Sequence, residues 1–196
     1  MLVFWKARLV MLAVPKTGTS AYARALAPFA SMVVSDPPEL KHAPVYRYNR
    51  FFRPMFDKMG GEMELLAVIR EPVDWLGSWY RYRQRDFLDG KPTSTRDMSF
   101  DDFCMAYAQE DRPPFANVGS QAKFVEPRPN GTAVSHLFRY ENQSGLIGFL
   151  EDRLQVRIDL PRENVSPSAQ TTLSASTLAR LHETCAEDFE VWERAR

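Results

Sequence analysis

Two short apolar runs, each opened by one charged residue, constrain this chain most: residues 8–14 (Arg-Leu-Val-Met-Leu-Ala-Val) and residues 64–69 (Glu-Leu-Leu-Ala-Val-Ile). Continuity, rather than alternation with polar residues, marks a strand covered on both faces, as in a parallel sheet. A turn and then a helical pattern follow each run. After the first, Pro15-Lys16-Thr17-Gly18-Thr19-Ser20 leads into residues 21–26, good helix formers stopped near Pro28. After the second, Arg70-Glu71-Pro72 leads into residues 73–85, with Pro72 suited to a first helical turn. Two strand-to-helix units predict a parallel α/β sheet with right-handed crossovers.

The remaining pattern fits that frame. Residues 133–140, after the Asn130-Gly131 turn signal, make a third strand candidate. Ser99 can cap a helix over 100–109, with Asp101 and Asp102 near its positive end, and Asn142 can cap another through Leu154. Residues 174–194 place Leu178, Leu181, Cys185, Phe189 and Trp192 on one helical face. Residues 45–59 have the aromatic and basic mix of a surface helix ending at Gly60-Gly61. Segments 35–44, 86–97, 112–130 and 160–170 read as loops. With no internal repeat and 44% hydrophobic residues in 196, a single domain over 1–196 is expected.

Lys plus Arg and Asp plus Glu number 25 each, so the total charge points to no nucleic-acid partner. Its distribution is uneven. Residues 1–100 carry 15 basic and 10 acidic side chains and residues 101–196 carry 10 and 15, which places an expected anion site in the first half. Cys104 and Cys185, 81 residues apart with no CxxC pair, predict two reduced thiols and no zinc site. The apolar start is broken by Lys6 and Arg8, and no stretch approaches the roughly 20 apolar residues of a membrane span. A cytoplasmic protein without a membrane span is the expectation.

A loop between a buried strand and a helix presents backbone N–H groups at the positive end of the helix dipole, a ready site for phosphate or sulfate. Here it holds Lys16 as a mobile cation, Thr17, Thr19 and Ser20 as hydroxyl donors, and Gly18, which lets the backbone approach an anion. The order is not GxxxxGK[ST]: the lysine precedes the glycine, and no glycine stands five residues before it. An ordinary nucleotide triphosphatase is therefore disfavoured, while a plain strand-to-helix turn would use the same six residues. Arg70, Pro72, Ser78 and Tyr80 then form the pattern R-x-P-x5-S-x-Y directly after a strand. Arg70 falls where open α/β sheets bind ligands, and Ser78 follows about two helical turns on, so a guanidinium fork and a hydroxyl can form a second phosphate clamp. For Arg70 alone a structural ion pair is the commoner role.

Together these strings resemble the sulfotransferase superfamily that uses 3′-phosphoadenosine 5′-phosphosulfate (PAPS). Residues 15–20 are similar to its 5′-phosphosulfate loop and residues 70–80 to its 3′-phosphate motif. Lys41-His42-Ala43 resembles a further segment of carbohydrate-type and bacterial members, Arg139-Tyr140-Glu141-Asn142 and the segment 160–166 (Leu-Pro-Arg-Glu-Asn-Val-Ser) resemble a strand end and a loop of the family, and the stretch holding Gln121 and Phe124 resembles a segment of bacterial members.

The resemblance implies a three-layer, P-loop NTPase-like α/β fold with a central parallel sheet flanked by helices. It also implies PAPS as co-substrate, no metal, and sulfuryl transfer to an acceptor hydroxyl, of a small molecule or glycan, with a carbohydrate leading. Lys16 would stabilise charge on the leaving phosphate, and Lys16, Thr17, Gly18, Thr19, Ser20, Arg70 and Ser78 would bind the donor. His42 is the candidate base, a loop-packing histidine being the alternative, with Glu39, Glu71 and Asp74 as fallbacks. His136 and His182 read as structural. Arg81, Arg83 and Arg85 could grip an acidic polymer or form a solvated face. Tyr46, Tyr48, Phe51 and Phe52 among Arg47, Arg50 and Arg53 could form an acceptor platform or, the favoured reading, pack as an amphipathic helix. Two rival functions remain: a P-loop kinase acting with Mg²⁺, and a non-catalytic nucleotide-binding module on the same fold.

Overall fold

The computed structural model describes residues 1–160 and 170–196. Among the described residues five strands occur, in the order β1 (Leu2–Phe4), β2 (Leu9–Met11), β3 (Met32–Val33), β4 (Glu64–Ile69) and β5 (Val134–Arg139). The helices are α1 (Thr19–Leu26), α2 (Pro38–Lys41), α3 (Val45–Arg47), α4 (Arg53–Lys58) and α5 (Pro72–Arg83). Then follow α6 (Phe100–Tyr107), α7 (Gln121–Val125), α8 (Gln143–Leu154), α9 (Ala175–Thr184) and α10 (Ala186–Arg194). The described residues form two compact units, one of residues 1–70, 121–160 and 194–196, the other of residues 71–120 and 170–193.

The first unit holds an open sheet in the order β3-β1-β2-β4-β5. β4 runs parallel to β2 and β5, so the centre of the sheet is parallel as its apolar runs predict. The margin is not: β1 pairs antiparallel with both β2 and β3. The reason is connection length, since only residues 5–8 join β1 to β2, enough for a hairpin and far too few for a crossover. Leu66 and Val68 on one face pack with Tyr22 and Leu26 of α1 and Leu146 and Leu150 of α8. Leu65, Ala67 and Ile69, pointing the other way, are equally closed to solvent, which explains why β4 reads as a continuous apolar run.

The second unit is helical. Trp75, Leu76 and Tyr80 of α5 pack with Phe100, Phe103, Cys104 and Tyr107 of α6, and Leu181 of α9 and Cys185 close the cluster. Ser99 caps α6 through a reciprocal box with Asp102. Asp101 faces the start of α9 instead, accepting from the Ser174 amide at 2.7 Å and the Thr177 hydroxyl at 2.8 Å. The single helix expected over 174–194 is broken at Cys185, which leaves helical geometry at φ −124°, ψ 27°. The new helix carries Asp188, whose carboxylate is fixed by the Tyr107 and Ser120 hydroxyls. Both cysteines are free and buried, and burial pushes both thiols to higher pKa.

Candidate functional site

In the first unit, β2, β4 and β5 end at one edge of the sheet, and each delivers a residue there. Beyond β2 the chain stays paired through Leu12 N–H to the Leu66 carbonyl and then turns sharply. The turn places two residues in the left-handed region, Lys16 at φ 67° and Gly18 at φ 73°. That backbone is uncommon for a lysine and costs energy, the sort of local strain that persists where surrounding structure holds it. Thr17 between them is fully buried and donates its hydroxyl to the Val14 carbonyl at 2.9 Å, so its side chain closes the turn. Gly18 is the N-cap of α1 without a side-chain cap, and the first turn of α1 holds no acidic residue. The amides of that turn, with the exposed Ser20 and half-exposed Thr19 hydroxyls, stand at the positive end of the helix.

Arg70 follows β4. Gln121, 1% exposed, clasps its backbone on both sides: Arg70 N–H donates to Gln121 Oε1 and Gln121 Nε2 donates to the Arg70 carbonyl, each at 2.8 Å. The side chain turns toward the loop, with Nη1 3.4 Å from the Lys16 carbonyl oxygen, and its guanidinium lies 4.5 Å from the centre of the Tyr140 ring. Tyr140 follows β5, where its amide donates to the Ile69 carbonyl. A Cβ at Gly18 would stand 3.1 Å from Tyr140 Cε2. Loop, guanidinium and phenol ring therefore form one packed group at the sheet's C-terminal edge. Neither Gln121 nor Tyr140 had a role derivable from sequence. The available signals were a tyrosine directly after a strand and a glutamine opening the short helix Gln121–Val125.

His42 ends α2 with Nδ1 2.7 Å from the Ala13 carbonyl oxygen. A carbonyl only accepts, so Nδ1 carries the proton. Burial, and after it the neighbouring Lys41 charge, hold the ring below the ordinary imidazole pKa, against the opposing effect of the Ala13 bond. The ring is then neutral at pH 7 and Nε2 holds the lone pair, the form a general base requires. Ala13, Thr19, Ser20, Tyr22 and Lys41 also border a cavity of about 160 Å³ whose other walls include Leu2, Met11, Leu12, Ala23 and Val33.

Ser78 lies in α5 of the second unit, 6% exposed. Tyr80 is a core residue there, its hydroxyl donating to the Met98 carbonyl at 2.8 Å. Of the other candidate bases, Glu39 is exposed, Glu71 accepts from the Asp74 amide as the cap of α5, and Asp74 pairs with Arg81 at 3.8 Å. The basic row proves structural at its centre. Arg83 is 9% exposed and donates to the Pro114 carbonyl at 2.6 Å and the Asn117 carbonyl at 3.2 Å. His136 bridges to Glu64 at 2.8 Å, and His182 stacks on Phe189. The segment 160–166, which resembles a family loop, lies outside the described residues apart from Leu160. Among the described residues no three His, Cys, Asp or Glu side chains gather as a metal-binding group, and no helix is long and apolar enough to cross a membrane. No model of a known protein family matches the chain, and no curated protein matches it closely enough to be counted a relative.

Proposed function

We propose that the chain is a PAPS-dependent sulfotransferase on a three-layer, P-loop-like fold. The observation that carries the reading is the packed edge where the Lys16–Ser20 turn, Arg70 and Tyr140 meet. The Arg70 guanidinium, the backbone of Lys16 and a run of first-turn amides meet there without an acidic side chain in the first turn of α1, as an anion site requires. The donor supplies an activated sulfuryl group. An acceptor hydroxyl attacks sulfur, the bond from sulfur to the bridging oxygen breaks, and 3′-phosphoadenosine 5′-phosphate leaves. Lys16 and the loop amides stabilise charge on that oxygen, and the acceptor proton passes to His42 Nε2. Arg70, its backbone held by Gln121, is assigned to the 3′-phosphate.

A carbohydrate acceptor rests on the resemblance alone. The cavity beside Thr19 and Ser20 favours a second possibility, since a largely apolar space of about 160 Å³ suits one ring-sized apolar body bearing a hydroxyl better than a glycan.

Calorimetric titration with 3′-phosphoadenosine 5′-phosphate, beside ADP and ATP with Mg²⁺, tests the donor reading. Binding of the 3′-phosphorylated nucleotide without Mg²⁺, weakened about tenfold or more by Arg70→Ala, is the expected result. Binding of ATP with Mg²⁺ alone would transfer the chain to the kinase class. Nucleotide binding with no turnover on any acceptor would favour a non-catalytic module.

A further inference from the structure

From Val45 to Lys58 the chain is one helical run: α3, a π-turn over Tyr48–Phe52, and α4. A π-turn closes with i→i+5 bonds and holds more residues than an α-turn, so the run averages close to four residues per turn and side chains four apart stay in line. The rows have distinct surroundings. Tyr48, Phe52 and Phe56 form the inward row, with Tyr48 and Phe56 buried and their ring centres 6.2 Å apart. Asn49, Arg53 and Asp57 form a polar row anchored to Thr132 and Asn130, with Arg53 paired to Asp57 at 3.4 Å. Arg50, Pro54 and Lys58 form an exposed row, and beside it stand Phe51, Met55 and Met59, exposed by 54%, 38% and 55%. Tyr46, 44% exposed, heads the Arg50 row in the first turn, and Arg47 heads the Phe51 row.

Four of the nine large hydrophobic side chains exposed among the described residues thus lie within residues 45–59, three of them in a single row. The cations Arg47, Arg50 and Lys58 accompany them. The one acid of the run, Asp57, is paired to Arg53. The Arg50 guanidinium lies 5.4 Å from the Phe51 ring centre and that of Arg47 5.7 Å from Tyr46. A guanidinium stacked on a ring still has N–H groups to offer an anionic oxygen.

We propose that this face docks peripherally on a membrane surface carrying anionic lipid. Phe51, Met55, Met59 and Tyr46 enter the boundary between headgroups and acyl chains, and Arg47, Arg50 and Lys58 meet lipid phosphates. A regular apolar row with an aromatic member, edged by cations of one sign, is the pattern of a helix that lies in the interface plane. Charge complementarity selects the partner. A second copy of the chain fits less well: four half-exposed side chains offer roughly 400 Å², about half of what a standard interface buries per partner. Sugar stacking fits less well too, because the exposed rings already carry guanidinium groups. The proposal stands on this helix alone and does not rest on the sulfotransferase reading.

The test is co-sedimentation of the full chain with vesicles of phosphatidylcholine alone and of phosphatidylcholine with about 30% phosphatidylserine. Binding to the second kind only, declining with added salt, is expected. Arg50→Gln with Lys58→Gln should weaken it by roughly thirtyfold, and Phe51→Ser with Met55→Ser and Met59→Ser should abolish it. All five positions are exposed, so both variants should keep the wild-type melting temperature, and that is measured alongside. Folded wild-type protein that ignores anionic vesicles, or a serine variant that binds them undiminished, overturns the proposal. So does a dimer in solution that the serine substitutions dissociate, which would assign the face to a second copy.

Discussion

At Gly18 the backbone takes φ 73°, and a Cβ built there would stand 3.1 Å from the Tyr140 ring. An alanine carries both a left-handed backbone penalty and a contact that moves the ring against which Arg70 stacks. Gly18→Ala should therefore destabilise the protein by about 1–2 kcal/mol in a denaturant titration and weaken binding of 3′-phosphoadenosine 5′-phosphate. Unchanged affinity would separate Tyr140 from the anion site. His42 yields a pH test. Its folded-state pKa is lowered by burial, so between that value and the ordinary imidazole value of about 6.5 the unfolded chain binds more protons than the folded one. Stability from this group is present above about pH 6.5 and is lost as pH falls toward the folded pKa. A base of lowered pKa also keeps turnover on its upper plateau to below pH 6.5, with an acid limb centred lower still. His42→Gln should remove both the stability slope and turnover while leaving nucleotide binding intact. A plateau that breaks above pH 6.5 would assign the base elsewhere.

At the scale of elements, α7 gives the clearest prediction because one of its residues holds the backbone of Arg70. Gln121→Leu leaves the Arg70 N–H and carbonyl without their partners, at a cost of about 1–3 kcal/mol for each group that stays unsatisfied. The positioning role is read by calorimetry: affinity for 3′-phosphoadenosine 5′-phosphate should fall although every proposed donor contact is still present, and Gln121→Glu, which keeps an acceptor for Arg70 N–H, should retain more of it. Equal affinity in the folded leucine variant would make the clasp purely structural. That α7 escaped a sequence reading has a physical cause. Its five residues sit in a proline-rich stretch and have no room for a periodicity. β1 and β3, of three and two residues, were hidden for the same reason, and so was α2 behind Pro37-Pro38. By contrast β4 and α8 stand where the apolar run and the Asn142 cap put them, because burial on both faces and a capping side chain leave local marks. The Lys16 loop and Arg70 were legible as residues. Their meeting through Tyr140 was not, since it depends on which strands are neighbours.

Over the whole molecule the charge separates more sharply than the two halves of the chain suggest. Among the described residues the sheet-bearing unit holds 17 basic and 10 acidic side chains and the helical unit 7 and 14, a net of +7 against −7. The Lys16 loop, Arg70 and the Arg50 row all belong to the basic unit, which favours encounter with anions even though the total charge is zero. Zero net charge also removes the general repulsion that keeps copies apart, while the basic unit of one copy can attract the acidic unit of another. Light scattering near the isoelectric point of about 6.8 should therefore give a negative second virial coefficient at about 10 mM salt. It should rise at about 0.1 M, as the screening length falls from roughly 30 to roughly 10 Å. A coefficient that becomes more negative with added salt would show the opposite balance, attraction through apolar surface. The serine substitutions at Phe51, Met55 and Met59 would then locate it, because they remove apolar contact without touching a charge.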